Sequence, residues 1–330
     1  MLSYLVRRIV GGITVLAFVS IFVFGLFFVI PADPARLACG KSCTPELMAE
    51  IRHGLELDQP LQVQYFRFVK GIFFGRTYLP GTEAELHCTA PCLGYSYQTD
   101  ELVTNLLKDR VPATLSIAFG ASILWVLIGL SSGILSALRR GTWIDKFSQG
   151  FALAGASLQI YFVGLVLQFI FVDKLAWFHA PGYVSPFEDP KEWALEMILP
   201  WLTLGFLLSA IYARLTRAGM IEVMSEDYIR TARAKGLSNR TIKFKHVLRA
   251  ALTPIVTVFG LDLGGLLGGA VITEYVFNIP GLGKLATEAV TNVDLPIIVG
   301  TVLLAAVFIV VANILVDLLY MVLDPKVRLS

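Results

Sequence analysis

Apolar positions along the chain fall into six runs, 9–30, 113–138, 147–172, 194–213, 252–277 and 296–323. Each reaches or exceeds the roughly 20 residues that a helix needs to cross the hydrocarbon core of a bilayer. All are far longer than the strands of a membrane barrel, which run to about 10 residues. The pattern therefore predicts an all-α polytopic membrane protein with six transmembrane helices. One polar interval, 31–112, is long and holds two amphipathic stretches, Pro45–Gly54 and Leu61–Phe74. Another, 173–193, is short and carries Trp177, Tyr183 and Trp193, aromatics of the kind that settle at a membrane interface.

Composition strengthens this reading. Hydrophobic residues make up 56% of the chain, charged residues 16%, and the mean hydropathy is +0.70. No soluble catalytic domain fits into what remains, so the chain reads as a single membrane domain over 1–330. Net charge is only +2, but its distribution orients the spans. Segments 1–8, 138–146, 213–250 and 324–330 hold 16 Lys and Arg in 62 residues, against 11 in 121 for 31–112, 173–193 and 278–295. Cytoplasmic loops carry such an excess, which places both termini inside and 31–112 outside the cell. The first apolar run, 22 residues after Arg7 and Arg8, exceeds the roughly 7–15 of a signal-peptide core and is expected to remain as a span.

The strongest local signal is the basic stretch from Met224 to Pro254. Residues 213–250 hold nine Lys and Arg against three Asp and Glu. Ser225 can cap a helix whose first turn carries Glu226 and Asp227, acids suited to the positive end of the helix dipole. Ile221, Met224, Tyr228 and Ala232 would form its apolar face, and Glu226 and Arg230, four apart, can pair on the other. Gly236 supplies a left-handed residue to end that helix, and Ser238 can cap a second. A short helix, a glycine turn and a second helix, tied to the membrane at both ends, suit docking of a soluble partner. The plainer alternative is that these charges only fix topology. Nucleic acid is excluded as a partner, because the stretch lacks an aromatic stacking platform and is hemmed in by spans.

The run 228–237, with Tyr228, Arg230, Thr231, Ala232, Ala234, Lys235, Gly236 and Leu237, and LRAALTP at 248–254 after it, resembles the EAA loop of binding-protein-dependent ABC importers. More narrowly it resembles the permease subunit of the dipeptide/oligopeptide branch. The generic motif begins with Glu where this chain has Arg230, a departure usual in that branch. Residues 45–65, 93–96 and 111–115 continue the resemblance, which lapses between Gly75 and Cys92. It implies a type I ABC importer permease in the cell (inner) membrane, with 213–254 as the cytoplasmic coupling loop. The implied partners are a homologous second permease subunit, two cytoplasmic ATPase subunits and an extracytoplasmic substrate-binding protein. The implied cargo is a di- or oligopeptide, although nickel complexes, glutathione and some oligosaccharides use the same branch. No covalent chemistry, metal or cofactor is expected on this chain; ATP and Mg would sit on the ATPases. A stand-alone secondary transporter is the alternative class, and it has no need of the basic hairpin.

Three further groups stand out. Gly260, Gly264 and Gly268 recur every four residues and give one smooth helix face. That face either lines the translocation path or packs inside this chain. The resemblance, through 269–274 and 280–283, favours the path and adds Glu274 to it. Asp262 and Asp317 lie with Glu274 in or near spans, where acids default to functional candidates but can equally pair with a nearby cation. Cys39, Cys43, Cys88 and Cys92 all fall in the outer interval and suit two disulfides, with three connectivities possible. Zinc is the alternative, with His53 and His87 near, but the spacing fits no standard closed site. Residues 39–42 match the end of a phosphate-binding loop only; Ala35 stands where its first Gly belongs.

Overall fold

A computed structural model describes residues 2–28, 35–36, 43–54, 59–78, 85–179 and 181–323. The apolar runs become α1 (Leu2–Phe28), α4 (Val103–Leu138), α5 (Trp143–Ser157) with α6 (Ile160–Gln168), α7 (Pro190–Ser225), α9 (Leu248–Leu267) and α12 (Leu295–Leu323). Among the described residues, five helices are long and apolar enough to cross a membrane, and the α5–α6 pair makes a sixth if counted as one span. The two amphipathic stretches form α2 (Pro45–Gly54) and α3 (Leu61–Phe74). Two small antiparallel hairpins complete that interval: β1 (Arg76–Tyr78) with β2 (Leu86–Cys88), and β3 (Tyr95–Ser96) with β4 (Glu101–Leu102).

Hydropathy placed the run ends less well than the runs. The second helix begins ten residues before Ala113, and α7 continues past Ala213 to Ser225, so the first part of the expected loop is the end of a membrane helix. Asp189 accepts from the N–H groups of Lys191 and Glu192, and Pro190 occupies the first turn, which fixes the start of α7. The expected third span, 147–172, is bent by 101° between Ser157 and Ile160. Gly155 lets α5 press against Ala210 of α7, whereas Gly164 lets α6 press against Val276 and Phe277, so the two halves follow different neighbours.

The expected fifth span is also broken. After α9 the chain turns at Gly269 (φ +133) into α10 (Val271–Val276), and the interval 278–295 folds as α11 (Leu282–Asn292). A Cβ on Gly269 would lie 2.6 Å from the Gly283 backbone, so the two segments touch main chain to main chain.

Small residues set the packing, as they must where lipid removes the hydrophobic drive between helices. α4 and α7 run parallel in close contact: Gly120 faces the Trp201 ring, Gly129 faces Tyr212 and Gly133 faces Thr216. Around that seam lies the main core, with Trp125, Met197, Leu204, Tyr212 and Ile279 buried. A second core joins Val103 and Leu107 of α4 to Leu285 of α11 and Ile298 of α12. Since α4 and α12 begin there together, their far ends, and the N-terminal part of α1 (Arg8 to Asp317, 3.0 Å), gather at the other end of the bundle.

Candidate functional site

At that end the basic stretch folds as a hairpin. α8 (Asp227–Ala234) leads through Gly236 to a helical turn, Asn239–Thr241, and a wider π-type turn, Ile242–Val247, which runs on into α9. Gly236 has φ +76, and its N–H bonds the Arg233 carbonyl while the Leu237 N–H bonds that of Ala232. Ser238 Oγ accepts from the Thr241 N–H, as its position predicts.

Three local expectations are corrected. Ser225 does not cap α8; its hydroxyl donates to the Glu222 carbonyl at 2.6 Å, and Glu226 is the cap position without a side-chain bond. Arg230 pairs with Asp227 at 3.3 Å rather than with Glu226, three residues apart being as close as four on an exposed helix. The buried face of α8 is centred on Ile229 (0% exposed), and Tyr228 (48%) points away. Ile221 and Met224 belong to the preceding helix and meet α8 from below.

The hairpin is mounted on a core of its own. Ile229, Ile242 and Val247 are buried with Ala137 of α4, Met220 of α7 and Ala251 of α9, and Ala232 packs at the edge. α8 therefore rests against three long helices. Away from the core, Tyr228, Arg230, Thr231, Ala234, Lys235, Gly236 and Leu237 are exposed, and a Cβ at Gly236 would meet nothing within 4 Å.

Beside the hairpin lies a polar lock that the hydropathy pattern did not reveal. Asp145, 2% exposed, accepts from Arg217 (Nε 2.7 Å, Nη2 3.1 Å), Ser136 Oγ (2.6 Å), the Gly141 N–H (2.9 Å) and Gln149 Nε2 (3.0 Å). A fork-shaped guanidinium on a carboxylate is the strong form of such a contact, and here it ties α5 to α7 and the α4–α5 turn. In the sequence Asp145 lies in the short basic segment 138–146, and no local pattern links it to Arg217.

The glycine stripe of α9 packs inside this chain. Gly260 faces Val316, Gly264 faces Ile309 and Ala312, and Gly268 faces Ala305, all on α12. The opposite face of α9 opens on a 420 Å³ groove lined by Leu261, Asp262 and Gly265 with Ile160 of α6 and Leu204 and Leu208 of α7. Asp262 accepts from the Tyr212 hydroxyl at 2.9 Å, and Asp317 pairs with Arg8.

Glu274 does not line that groove. It is fully buried, and its carboxylate accepts from Thr114 Oγ1 (2.9 Å), the Ala270 N–H (3.1 Å) and the Lys284 N–H (2.7 Å). Thr114 Oγ1 in turn accepts from the Leu282 N–H at 2.8 Å. The acid thus satisfies N–H groups at the starts of α10 and α11, where a negative charge suits the helix dipole, and pins the broken span to α4.

In the outer interval Cys88 and Cys92 are joined by a disulfide, Cα to Cα 5.6 Å, beneath Tyr78 and Tyr95. Cys43 is also disulfide-bonded, and Cys39 lies outside the described residues. Among the described residues no cluster of His, Cys, Asp and Glu is placed to hold a metal ion.

Residues 1–118 match the profile described as the N-terminal part of the binding-protein-dependent transport system membrane component, and 114–329 match the binding-protein-dependent transport system inner membrane component. The chain is 38% identical over 325 residues to a probable peptide ABC transporter permease protein of Sinorhizobium fredii, covering 98% of this chain and 99% of that one. It is 34% identical to the dipeptide transport system permease protein DppB of Alkalihalophilus pseudofirmus (99% and 100% covered). It is 36% identical to the glutathione transport system permease protein GsiC of Escherichia coli O6:H1 (99% and 99%).

Proposed function

The chain belongs to the binding-protein-dependent transport system inner membrane component family, and from that premise we propose that it carries small peptides through an ABC importer, with the α8 hairpin as its coupling element. As a member it is a multi-pass inner-membrane permease subunit with the type I ABC importer fold, a transport component rather than an enzyme. The cargo assignment rests on relatives named for peptide, dipeptide and glutathione transport, and glutathione is itself a tripeptide. Its further parts are an extracytoplasmic binding protein that delivers the peptide, a second permease subunit, and two ATPase subunits that hold ATP and Mg²⁺.

The observation that carries the coupling role is the mounting of α8 on a core shared by α4, α7 and α9. Its outward residues, Tyr228, Thr231, Ala234 and Lys235, would enter the ATPase, and closure of the ATPases would move α8 and the three long helices with it. The α9 groove beside Gly265 is the part of this chain assigned to the path. Both termini and the hairpin lie in the cytoplasm.

Gly236→Val tests the reading. A residue with a Cβ in the left-handed region costs roughly 1 kcal/mol or more, and with no atom near that Cβ the strain is confined to the turn. Uptake of labelled dipeptide and transport-stimulated ATP hydrolysis are expected to fall together, and the ATPases to co-purify less well, while the spans insert normally. Normal insertion with undiminished ATP-driven uptake would remove α8 as the coupling element.

A further inference from the structure

α1 touches the rest of the bundle on one side only; over its most apolar window 11% of residues are buried. Between it and α12 runs a 760 Å³ groove. Gly12 brings the helices together, since a Cβ there would lie 2.7 Å from Val310 Cγ1, whereas a Cβ on Gly11 would meet nothing within 4 Å. The lining is divided along its length. Arg7, Arg8, Asn313 and Asp317 lie at one end, and Val15, Val19 and Ala306 continue the groove away from it. Arg8 and Asp317 neutralise each other at 3.0 Å. Arg7 and Asn313, both exposed, have no hydrogen-bond or ion-pair partner among the described residues.

We propose that this groove binds one anionic phospholipid, its phosphate on Arg7 and one acyl chain along Gly11, Val15 and Val19. Length favours a lipid over a protein helix. From Arg7 to Val19 is about 18 Å at 1.5 Å per residue, close to the depth of a single leaflet, about half of a 30 Å core. Arg7, without a partner among the described residues, stands at the end where a headgroup would lie, and basic pockets between spans attract anionic headgroups. Arg8 and Asp317, bonded to one another at 3.0 Å, form the wall beside Arg7. The proposal needs only that the chain spans a bilayer and is independent of the coupling role of α8.

The test uses the whole transporter, reconstituted in phosphatidylcholine vesicles with a minor share of phosphatidylglycerol and re-extracted in mild detergent for native mass spectrometry. One phosphatidylglycerol retained per copy of this chain is expected. Arg7→Gln is expected to lower that retention about fivefold, the factor one cation near a membrane surface is worth, and Arg7→Lys to restore it. Gly11→Leu, whose Cβ meets nothing within 4 Å and whose side chain enters the groove, should lower it as well. Arg140→Gln, a charge loss outside the groove, should leave it unchanged. The proposal is overturned if phosphatidylcholine is retained equally, if Arg7→Gln and Gly11→Leu both keep the wild-type level, or if Arg140→Gln has the same effect as Arg7→Gln. It is overturned too if Gly11→Cys cross-links to the second permease subunit, which would place a protein there.

Discussion

At Gly264 an added Cβ would lie 3.3 Å from Ile309 Cα and 3.4 Å from Ala312 Cβ, whereas at the adjacent Gly265 it would meet nothing within 4 Å. Two glycines of one helix therefore have opposite uses: the first allows α12 to approach, and the second keeps a groove open. Gly264→Leu is expected to lower stability by about 1–3 kcal/mol, the usual cost of overfilling a packed contact, read as a lower melting temperature of the detergent-solubilised complex. Gly265→Leu should melt with the wild type and yet lose peptide uptake, because it fills the space assigned to the path. Equal melting of the two variants would show that α12 is not packed more tightly against Gly264 than the groove is against Gly265. Glu274 teaches the same lesson. An acid near a span suggests cargo contact, but this one is consumed by the backbone N–H groups of two short helices.

Between elements, the Asp145–Arg217 contact joins residues 72 apart in sequence and clamps α5 to α7 beside the hairpin. Removing one partner of a buried pair leaves an uncompensated charge, which costs about 3–5 kcal/mol. Arg217 keeps part of its side chain exposed, so Arg217→Met is expected near the lower end of that range. Adding Asp145→Asn should recover part of the loss, since the neutral amide needs no counter-charge. Thermal unfolding of the two variants separates these outcomes; a double variant no better than Arg217→Met would show that the charge is not what matters. The hairpin is an element of the opposite kind. Its turn is fixed by Gly236 and Ser238 alone, but its orientation comes from Ile229, Ile242 and Val247 entering a core that three helices share.

For the whole molecule, the contacts order the helices so that Arg7, Arg8, Arg139, Arg140 and the basic hairpin lie at one end, while α11 and the two β hairpins lie at the other. Lysine and arginine collect on the cytoplasmic side of membrane proteins, so that end is assigned inward. Reporter fusions after Arg140 and after Gly236 are expected to report the cytoplasm, and one after Thr99 the outside. An outside signal at Gly236 would invert the molecule and take the coupling role with it.

By itself the sequence determined the helical class, the family and the turn at Gly236. Each of these depends on local chemistry. A helix in lipid must satisfy its own backbone and span a fixed thickness, and a left-handed residue after a helix favours glycine wherever the helix is placed. Helical periodicity also grouped Gly260, Gly264 and Gly268 correctly, but in α8 it put Tyr228, which the structure leaves exposed, on the apolar face. It could not tell which face is covered, because that depends on a second helix remote in sequence. Only the tertiary structure turned the glycine stripe toward α12, put Ile229 rather than Tyr228 inside, bent the third span between α7 and α10, and gave Asp145 its arginine. A pattern along one chain records what each segment tends to bury, and packing between segments decides against what.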